Sequence, residues 1–285
     1  QRSDRRGDRP DQHAHRAIAA RGTYVNAIHF GAEKQMTFIT DPWFYAWAIP
    51  AVIITGISKT GLGAGAGGIA VPMMSQVIAP GVAAGIMLPI LCVMDLLGLR
   101  AYRGKWSTSE LKQMMVPAVL GIGIGALMFG VLSVKTTKAL LGVIAVTFSI
   151  YQAVPRLRDL KSWLPVAVRP WLWCGLSGFT STLAHAGGPP VTIYLWPKKL
   201  DRTQFVATTV FFFTVVNAVK LVPFAMLGQL NFTNLGTALV LMPLAPLGVW
   251  LGVRVNRWIS DVVFRRFTLA LMFILGCRLL FEGLK

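Results

Sequence analysis

Hydrophobic and polar positions along this chain fall into blocks rather than into alternation. From residue 43 onward, long apolar runs are separated by short stretches rich in Lys, Arg and Pro. A helix needs about 20 apolar residues to cross the hydrocarbon core of a bilayer. Ten apolar segments can be marked: about Trp43–Ser58, Ile69–Ile78, Val82–Leu99, Met114–Val134, Thr136–Val154, Trp171–Ala184, Val191–Trp196, Phe205–Leu227, Leu235–Val253 and Phe267–Leu284. The pattern predicts an all-α polytopic membrane protein. The second and seventh segments would rise only about 15 Å or less as helices, half a bilayer at most.

Each short segment follows a glycine-rich break. The first is Gly56–Pro72, GISKTGLGAGAGGIAVP, and the second is Gly175–Val191, GLSGFTSTLAHAGGPPV. Gly56-Ile57-Ser58 parallels Gly175-Leu176-Ser177, and Gly67-Gly68 parallels Gly187-Gly188. Asp95 then falls opposite Asn217 and Tyr102 opposite Phe224, while Gly121 and Gly125 parallel Gly248 and Gly252 at one constant offset. This is an internal repeat of five segments per half, residues 36–154 and 171–285, joined by a basic, proline-bounded linker at 155–170. Five is odd, so the halves are expected as inverted repeats, with broken or re-entrant helices at the glycine motifs. The basic loops at residues 100–112, 155–170, 198–202 and 254–266 then share one face, which the positive-inside rule makes cytoplasmic, with both termini outside.

Composition agrees with this pattern. Of the 285 residues 54% are hydrophobic and only 14% charged, and mean hydropathy is +0.59. The formal net charge of +17 resides largely in the inter-segment loops. No aromatic-plus-basic reading surface accompanies it, which argues against nucleic acid as a partner. Cys92, Cys174 and Cys277 all lie in apolar segments and read as small buried hydrophobes. Residues 1–35 carry seven Lys or Arg and no apolar core run, so they do not read as a signal peptide. The expected start is Met36, with 1–35 a basic extension upstream of it; the competing reading is a disordered basic tail, and neither expects a fold there.

Chemistry concentrates at the two breaks. A helix opened inside hydrocarbon exposes N–H and C=O groups that protein, ligand or water must satisfy. Glycines there admit a ligand close to the backbone. The helices starting after Gly68 and Gly188 would aim free N–H groups and positive dipole ends at a shared cavity, which suits an anion. The competing reading is close helix packing through small residues. The expected substrate contacts are Ser58, Lys59, Gly65, Gly67, Gly68, Ser181, His185, Gly187, Gly188 and Asn217. Lys59 is either a counter-ion for the substrate or a lysine snorkelling to the interface. His185 either binds anion or relays protons, or is a hydrogen-bonded structural residue. Asp95, His185 and Lys220 are the candidates for coupling to an ion gradient, unless Asp95 merely faces the interface. Asn217 and Lys220, three residues apart, share a helix face.

Gly175-Leu176-Ser177-Gly178 also matches the GxSG serine motif of intramembrane proteases, but the only later histidine is His185, at the break itself. No nucleotide-binding glycine loop, no metal-spaced His/Cys cluster and no haem motif occurs, so neither enzyme chemistry nor a cofactor is expected.

The run GLGAGAGGIAVP, followed by a segment ending near Asp95 and by AYRGKW, resembles the first half of the sulfite exporter TauE/SafE family. GFTSTLAHAGGPP, then Thr208, Asn217, Pro223-Phe224 and Gly228-Gln229-Leu230, resembles its second half. The resemblance covers about residues 40–284. It implies a multi-pass inner-membrane permease for small sulfur-containing or organic anions such as sulfite or sulfonates, coupled to a proton or Na+. A passive anion channel on the same scaffold is the alternative, and oligomeric state stays open.

Overall fold

The computed structural model describes residues 37–61, 68–154, 165–258 and 261–285. The extension 1–35, Gly65, Gly67 and most of the 155–170 linker lie outside the described residues. Among the described residues every regular element is helical. The first half holds α1 (Pro42–Gly61), α2 (Ala70–Met74), α3 (Pro80–Ala101), α4 (Thr108–Val131) and α5 (Val134–Ala153). The second holds α6 (Arg169–Ala184), α7 (Gly188–Leu195), α8 (Arg202–Met226), α9 (Phe232–Leu241), α10 (Leu244–Trp258) and α11 (Asp261–Leu284). Helix starts follow local chemistry. Pro80 and Pro170 open α3 and α6, where a missing N–H costs nothing. Ser133, Asp201 and Asn231 cap α5, α8 and α9 by accepting from the backbone N–H three residues on.

α3, α4, α5 and α8 are long and apolar enough to cross a membrane. The segment expected as one helix over Leu235–Val253 is instead a pair, α9 and α10, bent by 48° at Met242–Pro243. The proline ring cannot continue the hydrogen-bond ladder. Together the two make a fifth candidate span. Large apolar side chains on the outer face of α4 (Val116, Leu120, Ile124, Leu127, Val131) are exposed, as a lipid-facing surface requires.

Helix directions reveal the relation between the halves. α3 and α8 cross antiparallel, with Asn217 against Asp95 and Val210 against Gly98. α5 and α11 are antiparallel too, with Gly283 against Ala139 and Gly276 against Ala145. By contrast α1 runs parallel to α10, and α4 parallel to α6. Equivalent helices that meet antiparallel imply a two-fold axis across the helices, hence inverted repeats. The same directions make α1 parallel to α3 and α6 parallel to α8. The chain must therefore turn back between them, so α1–α2 and α6–α7 are re-entrant hairpins. Their tips meet: a Cβ on Gly68 would lie 2.8 Å from Ala186 Cα.

The inter-repeat seams are glycine seams. A Cβ on Gly56 would lie 2.8 Å from Gly248 Cα, and Gly252 abuts Thr60. In the other half Gly178 abuts Ala118, and Gly125 abuts Thr182 and Phe179. Thr60 and Thr182 each donate from Oγ1 to the carbonyl four residues back, Gly56 and Gly178, at 2.9 Å. These matched contacts pair Gly56 with Gly178, not with Gly175. The interval is then the one that separates Asp95 from Asn217 and Tyr102 from Phe224, so a single register relates both the hairpins and the central crossing.

Candidate functional site

Where the hairpin tips meet the α3–α8 crossing, the core becomes polar. Lys59 ends α1 and Asp95 lies on α3, deep in the bundle rather than at the interface. Their side chains form an ion pair at 2.5 Å, with Asp95 only 1% exposed. Asn217 on α8 donates from Nδ2 to the other carboxylate oxygen at 2.6 Å. Lys59 is thus held inside the bundle by a carboxylate, not drawn out to the interface.

Lys220, one turn beyond Asn217, is fully buried. Its ammonium donates to Ser181 O and Ser181 Oγ, both at 3.0 Å, and contacts His185 Nδ1 at 2.7 Å. His185 Nε2 lies 2.9 Å from Ala84 O. A carbonyl only accepts, so Nε2 carries the ring proton and Nδ1 accepts from Lys220. The imidazole is neutral in this arrangement, and the positive charge here belongs to Lys220. His185 also caps α6 in the left-handed conformation, φ 52°, a turn that aims its ring at both α3 and α8.

A cavity of about 30 Å³ lies among these groups, lined by Thr55, Lys59, Leu91, Ser181, His185, Gly188, Phe213 and Asn217. It has room for a water or two. Five of the residues marked in the sequence line it: Lys59, Ser181, His185, Gly188 and Asn217. Asp95 and Lys220 sit just behind, bonded to lining residues. Gly68 and Gly187 instead serve hairpin packing, against Ala186 and Ser177. Ser58 is buried, has no hydrogen-bond partner among the described residues, and is not part of the lining. Pro189 and Pro190 open α7 and carry no N–H, so the backbone donors at that helix start thin out to Gly188 and Val191. α2 has five residues, too short for a dipole of consequence. Side-chain cations, more than helix ends, make this site positive.

Thr55, Leu91 and Phe213 were not singled out in the sequence. Each stands four residues before a residue that was: Lys59, Asp95 and Asn217. One helical turn places such a pair on one face, which is the signal that would have found them. Thr55 is 1% exposed and its hydroxyl has no partner among the described residues.

The serine-protease motif is accounted for differently. Ser177 Oγ donates to Gly187 O at 2.7 Å, and both His185 nitrogens are engaged elsewhere. The serine closes a hairpin; it is not paired with a base. A larger apolar groove of about 380 Å³ between α4 and α6, lined by residues such as Leu120, Ile124, Trp171 and Phe179, has no ionisable lining residue. It belongs to the lipid-facing surface.

Among the described residues no group of three or more His, Cys, Asp or Glu side chains could hold a metal ion. No curated protein and no solved structure matches the chain. The model of one protein family, the sulfite exporter TauE/SafE family, does match it over residues 48–279, a span that contains the α6–α7 hairpin, all but the start of the α1–α2 hairpin, and every residue of the polar core. A multi-pass helical bundle with paired re-entrant hairpins around a buried charged cluster accords with a membrane transporter, and the chain belongs to the sulfite exporter TauE/SafE family.

Proposed function

We propose that this protein is a secondary transporter of the inner membrane that carries small sulfur-containing or organic oxyanions, sulfite or a short sulfonate, bound in the cavity between the hairpin tips. One observation carries the reading: the buried cluster holds two ammonium groups, Lys59 and Lys220, against one carboxylate, Asp95. The other described carboxylates with placed side chains (Asp41, Glu110, Asp201 and Glu282) serve helix ends and peripheral pairs. One positive charge in excess, buried beside a cavity, is costly unless an anion neutralises it. Lys59, Ser181 and Thr55 supply donors for its oxygens, Asn217 a further amide, and Leu91 and Phe213 an apolar wall for the remaining substituent.

Anion binding is tested by thermal unfolding in detergent across sulfite, thiosulfate, methanesulfonate and acetate. A ligand at 100 times its Kd stabilises by about 2.7 kcal/mol. The expected result is a rise in melting temperature with the sulfur oxyanions, lost in Lys220→Met, which leaves the cluster neutral. No rise with any of the four anions would overturn the reading.

A further inference from the structure

We infer that Asp95 carries the coupling proton, and that the site is loaded as an electrically neutral whole: a dianion is carried with one proton on Asp95, a monoanion with none. This rests on the cavity being the anion site. The geometry that carries it is the sharing of Lys59, which lines the cavity and also holds Asp95.

Water in the empty cavity can solvate one excess positive charge. A bound oxyanion displaces that water, so the filled complex must balance itself. A monoanion cancels the excess of Lys59 and Lys220 over Asp95. A dianion leaves one negative charge too many, and three groups could compensate. Lys220 cannot give more: its three donors are spent on Ser181 and His185. The ring of His185 is committed at both nitrogens. Asp95 remains. When the dianion draws on Lys59, the carboxylate is left with Asn217 alone, next to like charge, and a proton from the water on the side the substrate came from relieves it. The balance is complete: two ammonium charges, a neutral carboxylic acid and the dianion sum to zero, and the proton leaves with the substrate on the other side.

The neighbours of Asp95 support a proton rather than a metal cation. Its two oxygens meet a lysine ammonium and an amide NH2, both donors, whereas Na+ would need oxygen ligands. The ionisable groups around it are Lys59 from α1, Lys220 from α8, His185 from the corner after α6, and Cys92 on α3 itself. α2 and α9 carry no ionisable residue. On the other elements packed against α3, Lys138 of α5 pairs with Glu282, Cys174 of α6 adjoins Glu110, and Arg254 of α10 stacks on Trp250.

The experiment uses the full chain in proteoliposomes, with a pH dye in the lumen and the membrane potential clamped. Thiosulfate is the dianion and methanesulfonate the monoanion, both fully ionised near neutral pH. Thiosulfate influx is expected to acidify the lumen by one proton per anion and to speed up by as much as about tenfold per unit of external acidification. Methanesulfonate influx is expected to move no protons and to be flat with pH. In Asp95→Asn, thiosulfate influx should lose both its protons and its pH dependence. Protons accompanying methanesulfonate, proton-free thiosulfate influx in the wild type, influx of methanesulfonate alone, or an Asp95→Asn protein that still couples would each overturn the inference and leave the anion site standing. If neither anion enters and neither shifts the melting temperature, the anion reading itself fails. The two wild-type influxes decide even if Asp95→Asn does not fold.

Discussion

His185 combines two demands on one position. Its backbone is left-handed, φ 52°, and its ring bridges Lys220 and Ala84. Asn and Gly tolerate this conformation, whereas an alanine there costs about 1 kcal/mol or more. All three replacements lose the ring contacts, a loss on the order of 1–3 kcal/mol for the groups left unpaired. His185→Asn and His185→Gly should therefore both unfold at higher temperature than His185→Ala, and all three below the wild type. An alanine variant at least as stable as the glycine variant would mean that the turn does not set the cost. The sequence marked these residues as candidates but did not show how they pair. Asp95 opposite Asn217 was legible, because the two occupy equivalent places in the repeat. Lys59 with Asp95, and Lys220 with His185 and Ser181, were not, because each pair joins non-equivalent positions brought together only by hairpin closure.

At the scale of elements, the seams between repeats depend on side chains that are absent. Gly121 of α4 sits directly against the Gly175 carbonyl of α6, and Gly56 of α1 against Gly248 of α10. A methyl group at either would force the helices apart. Overpacking of this kind costs roughly 1–3 kcal/mol, which for a chain of this size is a drop of several degrees in melting temperature. Gly123, on the same helix as Gly121, has nothing within 4 Å of an added Cβ. Gly121→Ala and Gly56→Ala should thus each lower the melting temperature in detergent, while Gly123→Ala leaves it unchanged or raises it, alanine being the better helix former. Equal effects at Gly121 and Gly123 would remove the seam from the account. These glycines were readable in the sequence as a repeat, but their register was not. Gly175-Leu176-Ser177 looks more like Gly56-Ile57-Ser58 than Gly178-Phe179-Thr180 does, yet packing follows the second match. Helix contact selects the missing Cβ and the threonine that bonds back one turn, whatever lies between them.

At the scale of the whole molecule, two inverted repeats suggest two faces of similar build, yet their closures differ. On the face carrying the basic loops, Glu110 of α4 binds Lys198 at 2.9 Å and accepts from Tyr194 OH at 2.8 Å, so the α6–α7 hairpin is tied to α4. The repeat places Thr237, Gln76 and Pro72 at the matching positions of the other half. There the tie is a hydrogen bond from Ile39 N to Thr237 Oγ1 at 3.0 Å, together with apolar packing. Among the described residues an ion pair closes the basic-loop end of the α6–α7 hairpin against α4, and no matching ion pair closes the α1–α2 hairpin against α9. The Glu110–Lys198 pair is largely shielded from solvent, and a partly exposed pair contributes about 1 kcal/mol. Glu110→Gln should therefore shift opening on the basic-loop face roughly five-fold. Hydrogen exchange in nanodiscs reads this directly, since α7 amides would exchange that much faster while α2 amides, in the equivalent hairpin, keep their rate. The asymmetry matters for transport, because a carrier whose two closures differ in strength rests on one side and presents its cavity to the other. Equal acceleration in α2 and α7 would show that Glu110 stabilises the bundle at large instead of latching one face, and unchanged exchange in α7 would show that the pair carries no closing energy at all.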